Sequence, residues 1–101
     1  MKLPEDAIAR VSQDFGRARL GDPRRTRRAQ AIASGLALLP SVPFPGAQSS
    51  DARVEGGYRF ARNKRVTFQA LQEAHAEGTV ERAEAARCLV VAHDTTTATF
   101  P

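Results

Sequence analysis

The tripeptide Gly21-Asp22-Pro23 constrains the fold most, because it ends one helix and begins another within three residues. Glycine commonly terminates helices. The Asp22 side chain can accept hydrogen bonds from the free N–H groups of a helix start, and proline suits the first helical position, where no N–H partner is needed. The sequence therefore predicts two helices that meet at this turn.

Apolar residues recur at spacings of three and four on both sides of the turn. Helix one is predicted from Pro4 to about Leu20, with one apolar stripe made of Ile8, Val11, Phe15 and Ala18. Helix two is predicted from Pro23 to about Leu39, with an apolar face made of Ala29, Ile32, Ala33 and Leu36.

A proline-rich loop separates these helices from a third. Prolines at 40, 43 and 45 exclude a helix there, because each removes a backbone donor and holds the preceding residue extended. Helix three is predicted from Ser50 or Asp51 to about Asn63. Its apolar side, expected to face the core, consists of Val54, Tyr58 and Ala61, and Phe60 is also expected to pack inside.

In the last third of the chain, the predicted structure changes from helix to strand. Thr67 can cap a fourth helix to about Ala76, Gly78 is expected to break it, and a short acidic helix is expected from Thr79 to Arg87. Residues 88–92 are rich in valine and predict a β-strand, and threonines continue the extended pattern to Phe100.

This strand has apolar residues on both faces, which is typical of the middle of a sheet, and no other segment offers it a partner. The predicted fold is therefore mainly α, with four to five helices followed by one orphan strand. Residues 1–87 are expected to form the helical domain, and residues 88–101 the first strand of a second, truncated domain.

Charge is distributed unevenly along the chain. Residues 1–65 hold 13 of the 15 lysines and arginines and six of the 11 acidic residues, a net charge of +7, whereas residues 66–101 carry −3. A basic region of this kind is typical of a surface that binds a polyanion. No apolar run is long enough to span a membrane and the N-terminus lacks a signal core, so we expect a cytoplasmic protein.

Arginines cluster at the start of helix two. Arg24, Arg25, Arg27 and Arg28 lie within five positions and predict a phosphate-binding helix end, although such a cluster can also be a plain solvated face. Arg25 lies nearest the apolar face, so its stem is expected to be partly packed while its charged head reaches out.

Three motifs occur in order: Leu-Gly-Asp-Pro-Arg-Arg-Thr at 20–26, Glu-Gly-Gly-Tyr-Arg-Phe-Ala-Arg-Asn at 55–63, and His-Asp-Thr-Thr at 93–96. Together they resemble the N-terminal region of the transposase of transposon five and its relatives. These are bacterial cut-and-paste transposases whose RNase H-like catalytic core carries two aspartates and a glutamate. The resemblance extends from about Val11 to Phe100.

The resemblance implies that the helical domain binds double-stranded DNA at transposon ends, in the nucleoid. The matching positions here are Arg24 and Arg25 of the first motif, Arg28 two residues after it, and Arg59 and Arg62 of the second motif, with Arg27 in the same basic cluster. Glu55 can either form a simple pair with Arg59, one helical turn away, or orient Arg59 for DNA, and both roles stay open.

Asp94 corresponds to the first catalytic aspartate of these transposases, which bind Mg²⁺ in the full-length enzyme. Because two-metal cleavage needs several converging carboxylates, Asp94 alone is not expected to bind the metals or to act catalytically, and no cofactor is expected for this chain. The expected protein is a catalytically incompetent DNA-binding fragment. Its biological role is either that of a decayed remnant or that of an inhibitor that competes with a full-length transposase.

A different class of function also fits the residues. A small helical module for protein interaction or transcriptional regulation would share basic helices without recognising transposon ends. Binding to duplex DNA that weakens steeply with salt distinguishes the first hypothesis from a protein-interaction module.

Overall fold

The computed structural model describes residues 5–48 and 50–99. It contains four α-helices and one short 3-10 helix: α1 (Glu5–Phe15), α2 (Pro23–Leu38), the 3-10 helix (Phe44–Ala47), α3 (Asp51–Arg62) and α4 (Phe68–Ala85). The mainly α fold predicted from the sequence is therefore confirmed. Helix α2 contacts both α1 and α3, and α1 also contacts α4.

Helix α1 ends at Phe15, five residues earlier than predicted, and the predicted start at Pro4 lies outside the described residues. Gly16, which follows, has a low helix propensity. The bond from Arg17 N–H to the Asp14 carbonyl spans three residues, so the last turn tightens instead of continuing. The chain then turns at Gly21, whose φ of 84° lies in the left-handed region that favours glycine.

The predicted starts of the next helices are confirmed. Asp22 caps α2 and accepts from the Arg24 N–H at 2.8 Å, and Pro23 occupies the first turn. The Ser50 hydroxyl accepts from the first turn of α3, and Thr67 accepts from the Ala70 N–H at 3.1 Å at the start of α4. Each cap satisfies a backbone donor that has no partner within the helix.

Helix α4 is continuous over 18 residues, so the predicted break at Gly78 is wrong. Gly78 is buried, and the carboxylate of Asp14 on α1 lies directly against its Cα, where any Cβ would overlap with it. The glycine lets two helices approach closely rather than ending one of them. Its cost in helix propensity, about 1 kcal/mol, is offset by contacts that a local pattern does not show.

Asp14 is the centre of an ionic cluster between α1 and α4. Its side chain is buried, and both of its oxygens accept from the Arg82 guanidinium, at 2.9 and 3.1 Å. Arg17 approaches the same carboxylate at 3.4 Å and His75 Nδ1 at 3.5 Å. A buried carboxylate is stable only when paired in this way, so this cluster fixes how α4 lies on α1.

Acid is expected to weaken the contact between α1 and α4. Burial on its own raises the pKa of Asp14, but the hydrogen bonds and charge of Arg82, aided by His75, outweigh it and hold the pKa below its usual 3.8. The unfolded chain therefore takes up the proton first as pH falls. The stability contributed by Asp14 should be complete well above about pH 4 and be lost as pH drops below that value.

Urea unfolding followed by circular dichroism between neutral pH and about pH 3 measures this effect. The Asp14→Asn protein should be less stable than the parent at neutral pH. Its free energy of unfolding should also fall less steeply as the pH is lowered. An equally steep acid limb in Asp14→Asn would assign the effect to other carboxylates.

The core is small and is built from the loop after α1 together with α2 and α4. Its buried residues are Ala18, Leu20, Ala29 and Ala74. Partly buried side chains that pack against it are Phe15, Phe60, Val66, Ala70 and Leu71. Leu20 and Ala18 belong to the loop after α1, so this loop is part of the core rather than a mobile connection.

The face of α3 that turns inward differs from the one predicted. Gly57 is buried and Phe60 packs against the core, as predicted for Phe60, whereas Tyr58 is 48% exposed. Tyr58 and Ala61 instead line an open apolar groove. The periodicity was right, but the face that packs against the core is displaced by about one residue, to Gly57 and Phe60.

The predicted strand over residues 88–92 is not formed, and neither helix nor strand is assigned from 88 to 99. Leu89, Val90 and Val91 are exposed. A strand needs a neighbour for its backbone hydrogen bonds, and none of the described residues provides one. Regular structure in the described residues ends at Ala85, and the boundary between domains at residue 88 stays a prediction. The last extended position, Phe100, lies outside the described residues.

Candidate nucleic-acid interface

An open groove of about 350 Å³ lies where the start of α2 meets α3. We call it the first groove. It is lined by Asp22, Arg24, Arg25, Arg28, Gly56, Arg59, Phe60 and Asn63. The structure thus brings together four of the arginines that the sequence predicted, from two motifs more than thirty positions apart.

Arg24 is held at the mouth of the first groove by Asp22. Its guanidinium donates to the Asp22 carboxylate at 3.4 and 3.2 Å. The side-chain hydrogen bond and the backbone bond from Arg24 lower the pKa of Asp22, while the same carboxylate raises the pKa of Arg24. Asp22 therefore stays ionised at neutral pH, so it both caps α2 and orients the first arginine of the cluster.

Arg25 has the partly packed position that was predicted. It is half-buried, and its guanidinium donates to the Leu20 carbonyl at 2.9 Å. Next to it, the Thr26 hydroxyl donates to the Ala18 carbonyl at 2.9 Å. These two bonds fasten the start of α2 to the buried loop, so the arginine cluster is presented on a fixed helix end.

Glu55 and Arg59 form an ion pair at 2.6 Å, one helical turn apart on α3. Both side chains are mostly exposed, 64% and 73%, so the pair contributes little to stability. It does restrict the Arg59 side chain on the wall of the first groove. The simple pair is therefore present, and the role of Glu55 in orienting Arg59 for DNA stays a prediction.

Gly56 gives the Arg28 guanidinium room to lie across α3. A Cβ at Gly56 would come within 2.8–2.9 Å of the guanidinium carbon and both of its terminal nitrogens. We expect Gly56→Ala to leave the fold intact, because a flexible side chain can move away and alanine favours helix. It should displace Arg28 and weaken binding to duplex DNA several-fold, as measured by fluorescence anisotropy with circular dichroism as the folding control. Full affinity in a folded Gly56→Ala protein would show that the resting position of Arg28 is unimportant.

A second groove, of about 500 Å³, adjoins the first on the other side of Arg24 and Arg28. It is lined by Arg24, Arg27, Arg28, Ala31, Ala52 and Arg53. Arg53 was not identified from the sequence, and neither was Asn63 in the first groove. A signal existed for Asn63, since positions 56, 59 and 63 follow helical spacing and line the first groove. No such pattern pointed to Arg53.

Two predicted residues stand apart from the grooves. Arg62, in the last turn of α3, is exposed and lines neither. Asp94 is exposed in the irregular segment after α4. Within residues 5–48 and 50–99, no three His, Cys, Asp or Glu side chains group as metal ligands would, and no helix there has the length and apolarity to cross a membrane.

The fold and this surface define a class of protein: a small basic helical domain of the kind that binds nucleic acid. Six arginines line the two adjoining grooves: Arg24, Arg25, Arg27, Arg28, Arg53 and Arg59. Residues 9–66, more than half of the chain, match the model of a protein family that is described as transposase DNA-binding. The chain belongs to this family. No solved structure matches it.

Proposed function

We propose that this domain recognises the ends of a transposon by laying its two arginine-lined grooves on duplex DNA. The observation that carries the proposal is the convergence of α2 and α3, which places Arg24 and Arg28 on the border shared by both grooves. Both helices lie within the part of the chain that matches the transposase DNA-binding family. The proposed DNA contacts are the six groove arginines, and Arg62 is proposed only as a peripheral one.

The electrostatics favour a polyanion. Within the described part of the chain, Arg27, Arg28 and Arg53 form no ion pair and no side-chain hydrogen bond. Such cations release condensed counterions when they reach phosphates, which drives association with DNA. Arg24 is also held in place by Asp22, and Arg25 by the Leu20 carbonyl. These two side chains therefore lose less conformational freedom on binding.

Recognition of the DNA sequence is assigned to the first groove. Arg59 on its wall can donate two hydrogen bonds to a guanine edge, and the Asn63 amide adds a donor and an acceptor beside it. The side-chain oxygen Oδ1 of Asn63 already accepts from the Arg65 N–H at 2.9 Å, which holds the side-chain amide in one orientation. A fixed amide discriminates between bases better than a rotating one.

Selection from a library of randomised duplexes tests the proposal. The protein should enrich one motif, and the same motif should occur as inverted repeats on either side of its own gene. Binding to that duplex should weaken steeply as salt rises. Enrichment of no motif, or binding that salt does not affect, would instead support the protein-interaction alternative.

We further propose that the relatives of transposon five are the nearest functional analogues and that these 101 residues by themselves bind ends without cleaving them. The support is the matching motif around Asp94 and the chemistry of strand cleavage, which needs several carboxylates on two metal ions. A domain that binds ends without cutting them competes with a full-length transposase. Adding it to an excision reaction of a full-length relative with the same end sequence should lower excision, and unchanged excision would exclude the inhibitory role.

A further inference from the structure

We propose that the second groove is a separate phosphate-binding site for the DNA backbone, with Arg27 and Arg53 as its contacts. This inference rests on the proposed function and divides its surface into two sites with different tasks. The first groove distinguishes bases, whereas the second holds the duplex whatever its sequence.

The chemistry of the two linings supports this division. The second groove is lined only by arginines and two alanines, so its side chains offer donors and no acceptor. The first groove contains the Asp22 carboxylate and the Asn63 amide as well as arginines. Phosphate oxygens only accept hydrogen bonds, whereas base edges present both donors and acceptors. A donor-only groove therefore matches phosphate.

The charges of the second groove are also the more available ones. Arg59, which lines only the first groove, has a carboxylate partner in Glu55, and Arg24, which lines both grooves, has one in Asp22. In contrast, Arg27 and Arg53 have no carboxylate partner in the described ranges. They can bind a phosphate without breaking an existing ion pair, so each can release condensed counterions from the DNA at full effect.

The spacing of the grooves suits one DNA strand. Arg53 and Arg59 are six residues apart on α3, a distance of about 9 Å along the helix axis at about 1.5 Å per residue. Successive phosphates of one strand rise by about 3.4 Å along the duplex. A base contact in the first groove and a phosphate contact in the second can thus lie within about three nucleotides of each other.

The test compares Arg27→Gln and Arg53→Gln with a control, Arg87→Gln, which removes the same charge from an exposed residue beyond α4. Affinity is measured by anisotropy over a series of salt concentrations, on the duplex selected by the protein and on a mixed-sequence duplex. Each groove variant should reduce the slope of log K against log salt by about 0.9, the value for one phosphate. The affinity should fall by the same factor on both duplexes, and the control should leave the slope unchanged.

Phosphate ethylation interference locates the contact. Arg53→Gln should abolish interference at one phosphate, or at two adjacent ones, and leave the remainder of the pattern intact. An unchanged slope and pattern, with full binding by the parent protein, would overturn this inference alone. A loss confined to the selected duplex would make Arg53 a base contact and also overturn it. If the parent protein binds neither duplex, both this inference and the proposed function fail.

Discussion

Replacing Gly78 with alanine should destabilise the domain by about 1 to 3 kcal/mol, the usual effect of overpacking a close contact. The direction is informative, because helix propensity alone predicts a gain of about 1 kcal/mol for the same change. The new Cβ would overlap with the Asp14 carboxylate. That carboxylate is held by both terminal nitrogens of Arg82 and cannot withdraw without breaking the ionic cluster.

Urea unfolding of four proteins separates the two effects: the parent, Gly78→Ala, Asp14→Ala and the double variant. Asp14→Ala removes the obstructing carboxylate, so Gly78→Ala should be neutral or stabilising in that background. The resulting coupling between the two positions should exceed about 1 kcal/mol, as is common for residues in direct contact. A Gly78→Ala protein that is more stable than the parent would show that α4 does not depend on this close approach.

Elements set by neighbouring residues were predictable from the sequence. The start of α2 depends on Asp22 and Pro23, and the starts of α3 and α4 depend on Ser50 and Thr67, so each signal lies beside the structure that it produces. The continuity of α4 was not predictable. It depends on Gly78 meeting Asp14, a residue 64 positions away, and no local pattern reveals such a contact.

The same distinction applies to the end of the chain and to the grooves. The valine-rich residues 88–92 have the local character of a strand but lack a partner in the described residues, and pairing is a property of two segments. The arginine cluster of α2 was evident in the sequence. Arg53 was not, because its importance depends on how α3 packs beside α2.

The ionic cluster also supports the candidate interface, although it lies on another part of the molecule. Asp14 lies in the last turn of α1, directly before the loop that carries Ala18 and Leu20 begins at Gly16. The carbonyls of these two residues accept from Thr26 and Arg25, at the start of α2. Destabilising the contact between α1 and α4 should therefore loosen the arginine cluster as well, and variants at Gly78 are unsuitable for measuring direct contributions to DNA binding.

The sharpest comparison for DNA binding is between Arg28→Ala and Arg62→Ala. The sequence alone does not distinguish these two arginines, because both lie in the part of the chain that matches the transposase DNA-binding family. The structure separates them, since Arg28 lines both grooves and Arg62 lines neither. We expect Arg28→Ala to weaken binding to the selected duplex by about 1 to 3 kcal/mol, or roughly 5- to 150-fold, and Arg62→Ala to have a much smaller effect.

Both variants lower the net charge by one, so a difference between them reflects position and not total charge. Anisotropy at one fixed salt concentration measures the effect, and circular dichroism establishes that both proteins fold. Equal losses of affinity would mean that DNA binding depends on the overall charge of the basic region and not on the two grooves. A large loss for Arg62→Ala alone would move the interface to the end of α3, because Arg62 would then contact DNA from outside the surface that α2 and α3 form together.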